Sequence, residues 1–419
     1  MIIKATIKNF MGIEKEASIS CLSNNKIKRN NNFIIKNEND ESILKAIGII
    51  GSNGSGKTSL LKAIATIQTF ITFPYRKSSE KSKAFVEQIK SLPDELLNQL
   101  LQSINNLNLP SQNVNNPLDD TVIELELFIP HDKKDENIIS GIYKYRLVYD
   151  SNYNINGVKE ESLYYRKKIN SKKIIKIFSV NNIIESEIGT KLLYQNNTII
   201  SENKEIKYYH SFGNEIMHKF EFMFNGDFLD FDADEKYLID ILEKNKKRFV
   251  DLCSLADDKI IDVIIENKND KKNLFFINNK KNKLRFEQLS TGTKKIILYG
   301  NKILFALENN KNLFIDEMEN SLHPSLACFL LQLVGYPIKN SYSQIFFTTH
   351  SIYLSSLLDN DQLYYIDNKK DSYNISNIST AIKNNVITKD KTLAIALLED
   401  LLIKNPDSKK IVDFLNDKN

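Results

Sequence analysis

The chain has 419 residues, 42% of them hydrophobic and 26% charged, with a formal net charge of +4. That composition supports a large core in one large or two to three ordinary domains and excludes a disordered chain, while so small a charge neither demands nor excludes a nucleic-acid partner. Cys21, Cys253 and Cys328 lie far apart without ligand spacing, no signal peptide opens the chain, and no apolar run approaches the ~20 residues of a membrane span. A disulfide framework, a zinc site and a membrane-spanning chain are therefore set aside, and a reducing cytoplasm is the expected compartment.

The opening MIIKATIKNFMGIEKEASISC alternates like strands, and a polar, Asn-rich loop from Ser23 to Ser42 leads to a short apolar run, Ala46 to Ile50, suited to a buried parallel strand. Gly51-Ser52-Asn53-Gly54-Ser55-Gly56-Lys57-Thr58 follows at once, in the spacing G-x-x-x-x-G-K-[ST]. In such a loop backbone N–H groups wrap phosphates, the lysine reaches the β- and γ-phosphates, and the hydroxyl binds Mg²⁺. Leu60, Leu61, Ile64, Ile67 and Ile71 recur behind it at helical spacing, so the loop, with Ser59, opens a helix whose N-terminus faces the anion.

Lys81 to Asn106 reads as helical, broken near Pro93, and Asn108 to Pro117 as a linker. TVIELELFIP (121–130), GIYKYRLVYD (141–150) and ESLYYRKK (161–168) alternate as an antiparallel meander, with weaker strands to about Ile206. Asp234 to Asn267 reads as helical, and Asn273 to Leu289 as a hairpin turning at Asn278 to Asn282. Lys167 to Ile177 and lysines 271, 272, 280, 281 and 283 suggest either solvated loop ends or a basic stripe.

LSTGTKK (289–295) begins another apolar helical face, so Ser290 and Gly292 sit at a helix N-terminus that attracts anions. In NLFIDEMENSLHPS (312–325) a buried run ends in Asp316, suited to the Mg²⁺ shell, and Glu317, suited to polarise water for attack on the γ-phosphate. QIFFTTHS (344–351) is a further buried strand that ends in His350, within reach of the γ-phosphate or the attacking water.

With GSNGSGKT, LSTGT, FIDE and TTHS in that order, the chain resembles the ATP-binding-cassette (ABC) class of ATPases, specifically the SMC/RecF-like branch and the bacterial AAA-family ATPases of the OLD (overcoming lysogenization defect) type. IKNF (Ile7 to Phe10) is similar to that branch's first strand, and IDEMENSLHP to its defence-associated members. The resemblance implies an α/β, P-loop NTPase head of ABC type: a mixed or parallel sheet flanked by helices, an antiparallel β subdomain and a helical insertion. The expected division is an ATPase core of 1–72 with 285–368, a helical insertion over 73–118, the β subdomain over 119–210, a helical arm and hairpin over 211–284, and a helical tail over 369–419.

The resemblance further implies an ATP and Mg²⁺ site shared across a homodimer. Gly51 to Ser59, Lys57, Thr58, Asp316, Glu317 and His350 of one protomer would face Ser290 and Gly292 of the other. Gln68 does not fill the Q-loop position, and His323 stands where many cassette ATPases have an aspartate. The nuclease domain of OLD proteins is not expected, so a separate effector, a nuclease or toxin, is. DNA is a further candidate partner. The readings held beside an effector-controlling ATPase are a RecF-like repair ATPase, a transporter subunit and a binding switch with negligible turnover.

Overall fold

The computed structural model describes residues 1–10, 13–23, 31–37, 39–64, 119–130, 140–149, 158–181, 183–185, 222–225, 231–268, 271–336, 341–369 and 372–386. The expected insertion over 73–118, Gln68 and the tail beyond Val386 lie outside them. In chain order the first strands are β1 (Ile2–Lys8), β2 (Ala17–Ser20), β3 (Ile34–Lys36), β4 (Ser42–Leu44) and β5 (Ala46–Gly51), followed by helix α1 (57–64). Next come β6 (Thr121–Ile129), β7 (Gly141–Tyr149), β8 (Val158–Arg166), β9 (Ile175–Asn181), β10 (Ile183–Glu185) and β11 (Phe222–Asn225). Helices α2 (Phe231–Lys244) and α3 (Lys246–Ala256) precede β12 (Ile260–Lys268), β13 (Lys271–Asn278) and β14 (Lys283–Arg285). The last third holds α4 (Thr291–Glu308), β15 (Asn312–Ile315), α5 (Pro324–Val334), β16 (Ile345–Thr348), α6 (Ile352–Ser356), β17 (Leu363–Lys369), β18 (Ser372–Asn377) and α7 (Ile378–Lys383).

The central sheet has the order β11-β15-β16-β5-β17-β18, parallel throughout except for the β17–β18 pair. Its strands β15, β16 and β5 are buried along their whole length, as parallel strands covered on both faces must be. Side chains alternate between two cores: Ile47, Ile49, Phe314, Phe346, Tyr364 and Ile366 enter one, and Ala46, Ile50, Leu313, Ile315, Ile345 and Phe347 the other. In the first core Phe314 stacks on Phe346 with ring centroids 5.0 Å apart. That core is shared with α1 and with a seven-stranded antiparallel sheet, β10-β9-β8-β7-β6-β1-β2. The second core lies under α2 to α5 and the three-stranded sheet β12-β13-β14.

One buried side chain stitches the two large sheets. Gln344, at the head of β16, donates to the carbonyls of Ile2 and Leu44, both at 2.9 Å, and accepts from the Ile2 N–H. Its amide therefore satisfies backbone groups that would otherwise be buried without partners.

The structure corrects several expectations. The first strand, assigned with the ATPase core, pairs with β6 and belongs to the antiparallel sheet, so that sheet is not confined to 119–210. The last part of the expected helical stretch, 260–267, lies in β12 instead: alternation in IIDVIIENK points Val263 into the core opposite Phe276 of β13. Phe222–Asn225 adds a parallel edge strand to the central sheet rather than belonging to a helical arm, and β18 extends that sheet past residue 368. The Ser23–Ser42 loop contributes the short β3–β4 hairpin. Of the hairpin lysines, Lys272 pairs with Glu243 and Lys283 with Glu266, which weakens the basic-stripe reading there. The expected hairpin turn at 278–282 is present between β13 and β14. Among the described residues no helix is long and apolar enough to cross a membrane.

Lys45, just before β5, is buried, and its ammonium donates to the Tyr336 carbonyl at 3.4 Å. Burial pushes its pKa down to about 8. The folded state thus binds the proton less tightly than the unfolded chain, whose lysine titrates near 10.4. The resulting penalty is complete below about pH 8 and fades as pH rises from there toward the unfolded value of about 10.4. Lys45→Met keeps an unbranched stem without the charge and is expected to stabilise the protein by on the order of 2 kcal/mol at pH 7. Urea unfolding at pH 7 and pH 10 checks this: the gain should shrink at the higher pH.

Candidate functional site

Parallel strands deliver their C-terminal ends to one edge of a sheet, and β5, β16 and β15 lie side by side there. The loop after β5 turns at Ser52 to Ser55, where the Ser55 N–H donates to the Ser52 carbonyl at 3.2 Å, and Leu60 N–H to the Gly56 carbonyl starts α1. Gly54 and Gly56 have φ of +72° and +89°, a region open to glycine. At Gly51 a Cβ would lie 2.3 Å from Ser55 Oγ, so the loop closes only over a bare Cα. Asn53 and Gly54 are exposed at its tip, with Ser52, Gly56, Thr58 and Ser59 half-buried.

Lys57 is buried, and its ammonium donates to the carbonyls of Gly51 at 3.1 Å and Ser52 at 2.9 Å. An ammonium has three donors, so one remains for a ligand. Burial lowers the lysine's pKa, and the carboxylates of Asp316, Glu317 and Glu319 oppose that shift.

Asp316 follows β15 directly. Its Oδ2 accepts from the Thr58 hydroxyl at 2.7 Å and its Oδ1 from the Thr348 hydroxyl at 2.6 Å. Glu317 has a left-handed backbone, φ +47°, and its N–H donates to Thr348 Oγ at 2.7 Å. Asn320 Nδ2 donates to Glu317 Oε2 at 3.3 Å. β16 stops at Thr348, two residues before His350, which is exposed and whose backbone N–H donates to Glu319 Oε1. The second oxygen of Glu319 is buried without a hydrogen-bond partner. Burial lowers the His350 pKa, aided by the Lys57 charge and opposed by Glu319, Glu317 and Asp316, so the neutral ring is favoured at pH 7.

Ser290 is the N-cap of α4: its hydroxyl accepts from the Thr293 N–H at 3.1 Å and pairs with the Thr293 hydroxyl at 2.7 Å. A Cβ on Gly292 would lie 3.2 Å from the Ser321 carbonyl, so this helix end packs on the turn that follows Asp316 and Glu317. His323 caps α5, its Nδ1 accepting from the Ser325 N–H.

The expected residues Lys57, Thr58, Asp316, Glu317 and His350 are thus neighbours. Thr348 and Glu319 were missed by the sequence reading. Both stand inside the quoted motifs, TTHS and DEMEN, yet a threonine on an apolar strand and a third carboxylate in a turn carry no signal until the strands are paired.

The site suits a nucleotide and Mg²⁺. The Ser55 hydroxyl is buried without a partner inside the loop. The Thr58 hydroxyl spends its proton on Asp316, which leaves oxygen lone pairs for a hard cation. Among the described residues no group of three or more His, Cys, Asp or Glu side chains is placed to hold a metal by itself.

A family described as "AAA domain, putative AbiEii toxin, Type IV TA system" matches residues 47–356, from β5 to the end of α6. The chain belongs to this family. It therefore carries an AAA ATPase domain, and the match spans both the phosphate loop and Asp316. No curated protein matches the chain. Solved structures similar to it include an Smc head bound to the C-terminal winged-helix domain of ScpA, at 13% identity and a TM-score of 0.48, covering 90% of this chain and 97% of that one. An Smc head with an extended coiled coil bound to the C-terminal domain of ScpA, derived from Pyrococcus furiosus, gives 11%, 0.47, 92% and 98%. The SMC head domain from Thermotoga maritima gives 11%, 0.40, 90% and 98%.

Gly51→Ala would place its methyl against the Ser55 side chain and 3.3 Å from the Ile366 carbonyl of β17, a neighbour that cannot swing away. It is expected to cost about 1–3 kcal/mol by overpacking. Gly54→Ala meets open space and pays only for its positive φ, about 1 kcal/mol. Urea denaturation of the two variants should rank them in that order.

Proposed function

We propose that the chain is a Mg²⁺-dependent ATP hydrolase of ABC type that closes into a homodimer on ATP and drives or restrains a separate effector, a nuclease or toxin, in defence against phage. The observation that carries the reading is the junction at Asp316, where hydroxyls from the phosphate loop and from β16 meet one carboxylate beside Lys57. The backbone N–H groups of 52–58 and the remaining Lys57 donor would hold the β- and γ-phosphates. Thr58 and Asp316 would hold Mg²⁺, which when bound neutralises phosphate charge. Glu317 would take the proton of the attacking water, and the neutral His350 ring would orient that water or the γ-phosphate. Ser290 and Gly292 would cap the partner's ATP through the N-terminus of α4.

The family's description pairs an AAA domain with a type IV toxin–antitoxin system, which supports a two-component defence setting over a transporter, and the cytoplasm is the compartment proposed with it. A second reading, a RecF-like ATPase acting on DNA, is favoured by exposed Lys167, Lys168, Lys172 and Lys173 on the β8–β9 turn. DNA-stimulated hydrolysis would select it.

Glu317→Gln keeps the shape and removes the base. Hydrolysis is expected to fall by roughly 10²–10⁴-fold while ATP binding persists, and light scattering should find the variant as an ATP-bound dimer. Normal turnover would remove Glu317 from the role. The shared site is tested by mixing Lys57→Ala with Ser290→Arg, each inactive alone. Random exchange makes roughly half the dimers mixed, each with one intact site, so about a quarter of wild-type hydrolysis should return if sites act independently. Mixed dimers confirmed by tagged co-purification but inactive would overturn the sandwich.

A further inference from the structure

We propose that Thr348 is a positioning residue for ATP hydrolysis, holding the metal carboxylate and the general base in register; this rests on the reading of Asp316 and Glu317 given above. The Thr348 hydroxyl has one proton and two lone pairs. A carboxylate only accepts and an amide N–H only donates, so the directions are fixed: Thr348 gives its proton to Asp316 Oδ1 at 2.6 Å and receives the Glu317 N–H at 2.7 Å.

Burial makes this arrangement consequential. Thr348 is 0% exposed, so water does not replace its hydroxyl. The parallel ladder between β15 and β16 ends at the Ile315–Phe347 pair. One step beyond, the Thr348 side chain takes over from the backbone as partner for Glu317, and the Thr348 carbonyl accepts from the Met318 N–H at 3.1 Å. Glu317 thereby holds a left-handed φ that a non-glycine residue keeps only when its surroundings over-determine it. On the opposite side Thr58 fixes the other oxygen of Asp316. Asp316 is thus clamped between the phosphate loop and β16, and the direction in which Glu317 leaves the turn is set by the same hydroxyl. Thr348 touches neither substrate nor reacting atoms in this scheme; it acts through its two neighbours.

The decisive comparison is Thr348→Ser against Thr348→Ala. Both lack the γ-methyl, so the comparison between them isolates the loss of the hydroxyl. Thr348→Ser is expected to retain turnover within about threefold of wild type, whereas Thr348→Ala should lose about tenfold or more in kcat with KM for ATP little changed, because a buried bond to a charged group is removed. A second readout does not depend on turnover. When binding of a fluorescent ATP analogue is followed as Mg²⁺ is titrated, the midpoint should rise severalfold for Ala and stay in place for Ser. Lys57→Ala is measured in parallel. If it loses nucleotide binding while Ala and Ser at 348 match in both kcat and Mg²⁺ midpoint, the positioning role is overturned and the ATPase reading stands. If Lys57→Ala binds nucleotide like wild type, the site reading falls and takes this proposal with it.

Discussion

Asp316 accepts one hydrogen bond through each oxygen, from Thr58 on the phosphate loop and from Thr348 on β16. Three adjacent parallel strands are tied at their ends by this one carboxylate. Even a half-buried carboxylate is costly unless its lone pairs are satisfied, and here the two donors come from segments nearly 260 and just over 30 residues away in sequence. The site's charges are arranged around that junction: Lys57, Glu317 and Glu319 beside it, and His350 at the exposed rim, where partial desolvation and the Lys57 charge lower the ring's pKa against the pull of the carboxylates.

The junction depends on the register of the central sheet. Alternating side chains send Phe314 and Phe346 into one core and Leu313, Ile315, Ile345 and Phe347 into the other, so a one-residue slip of β15 against β16 would exchange the two sets. It would also turn Thr348 away from Asp316. Gln344 resists such a slip from the far end of β16, where its amide binds the backbone of β1 and β4. Register, core packing and site geometry are therefore one specification.

Some of the chain's local strain sits where the chemistry is proposed. Glu317 and Ser321 adopt positive φ, Ser55 Oγ and Glu319 Oε2 are buried without partners, and Gly51 leaves no room for a methyl. Such features persist because the surrounding packing outweighs them, and they fit a loop awaiting an anion better than a loop built for stability alone. At the start of α4 the helix end is capped by its own Ser290, and close packing of Gly292 on the Ser321 carbonyl links it to the carboxylate turn within one chain.

The strand before the phosphate loop, α1, the 121–166 meander, the 273–289 hairpin and α4 were legible because each is specified locally, by period-2 or period-3.6 apolar spacing and by glycines at fixed offsets. Lys57, Thr58, Asp316, Glu317 and His350 were legible for the same reason, as motif residues after apolar runs. Residues 260–267 were misread because IIDVIIENK is apolar enough to pass for the continuation of a helix, and only pairing with β13 selects the strand. Placing β1 in the antiparallel sheet and Phe222–Asn225 beside β15 depended on contacts far apart in sequence, which no local pattern encodes. Thr348 and Glu319 belong to the same class. Their residue types were in plain view, but a hydroxyl or carboxylate acquires a partner only when strands from distant parts of the chain are brought edge to edge, and that is decided by the burial of whole faces rather than by any local spacing.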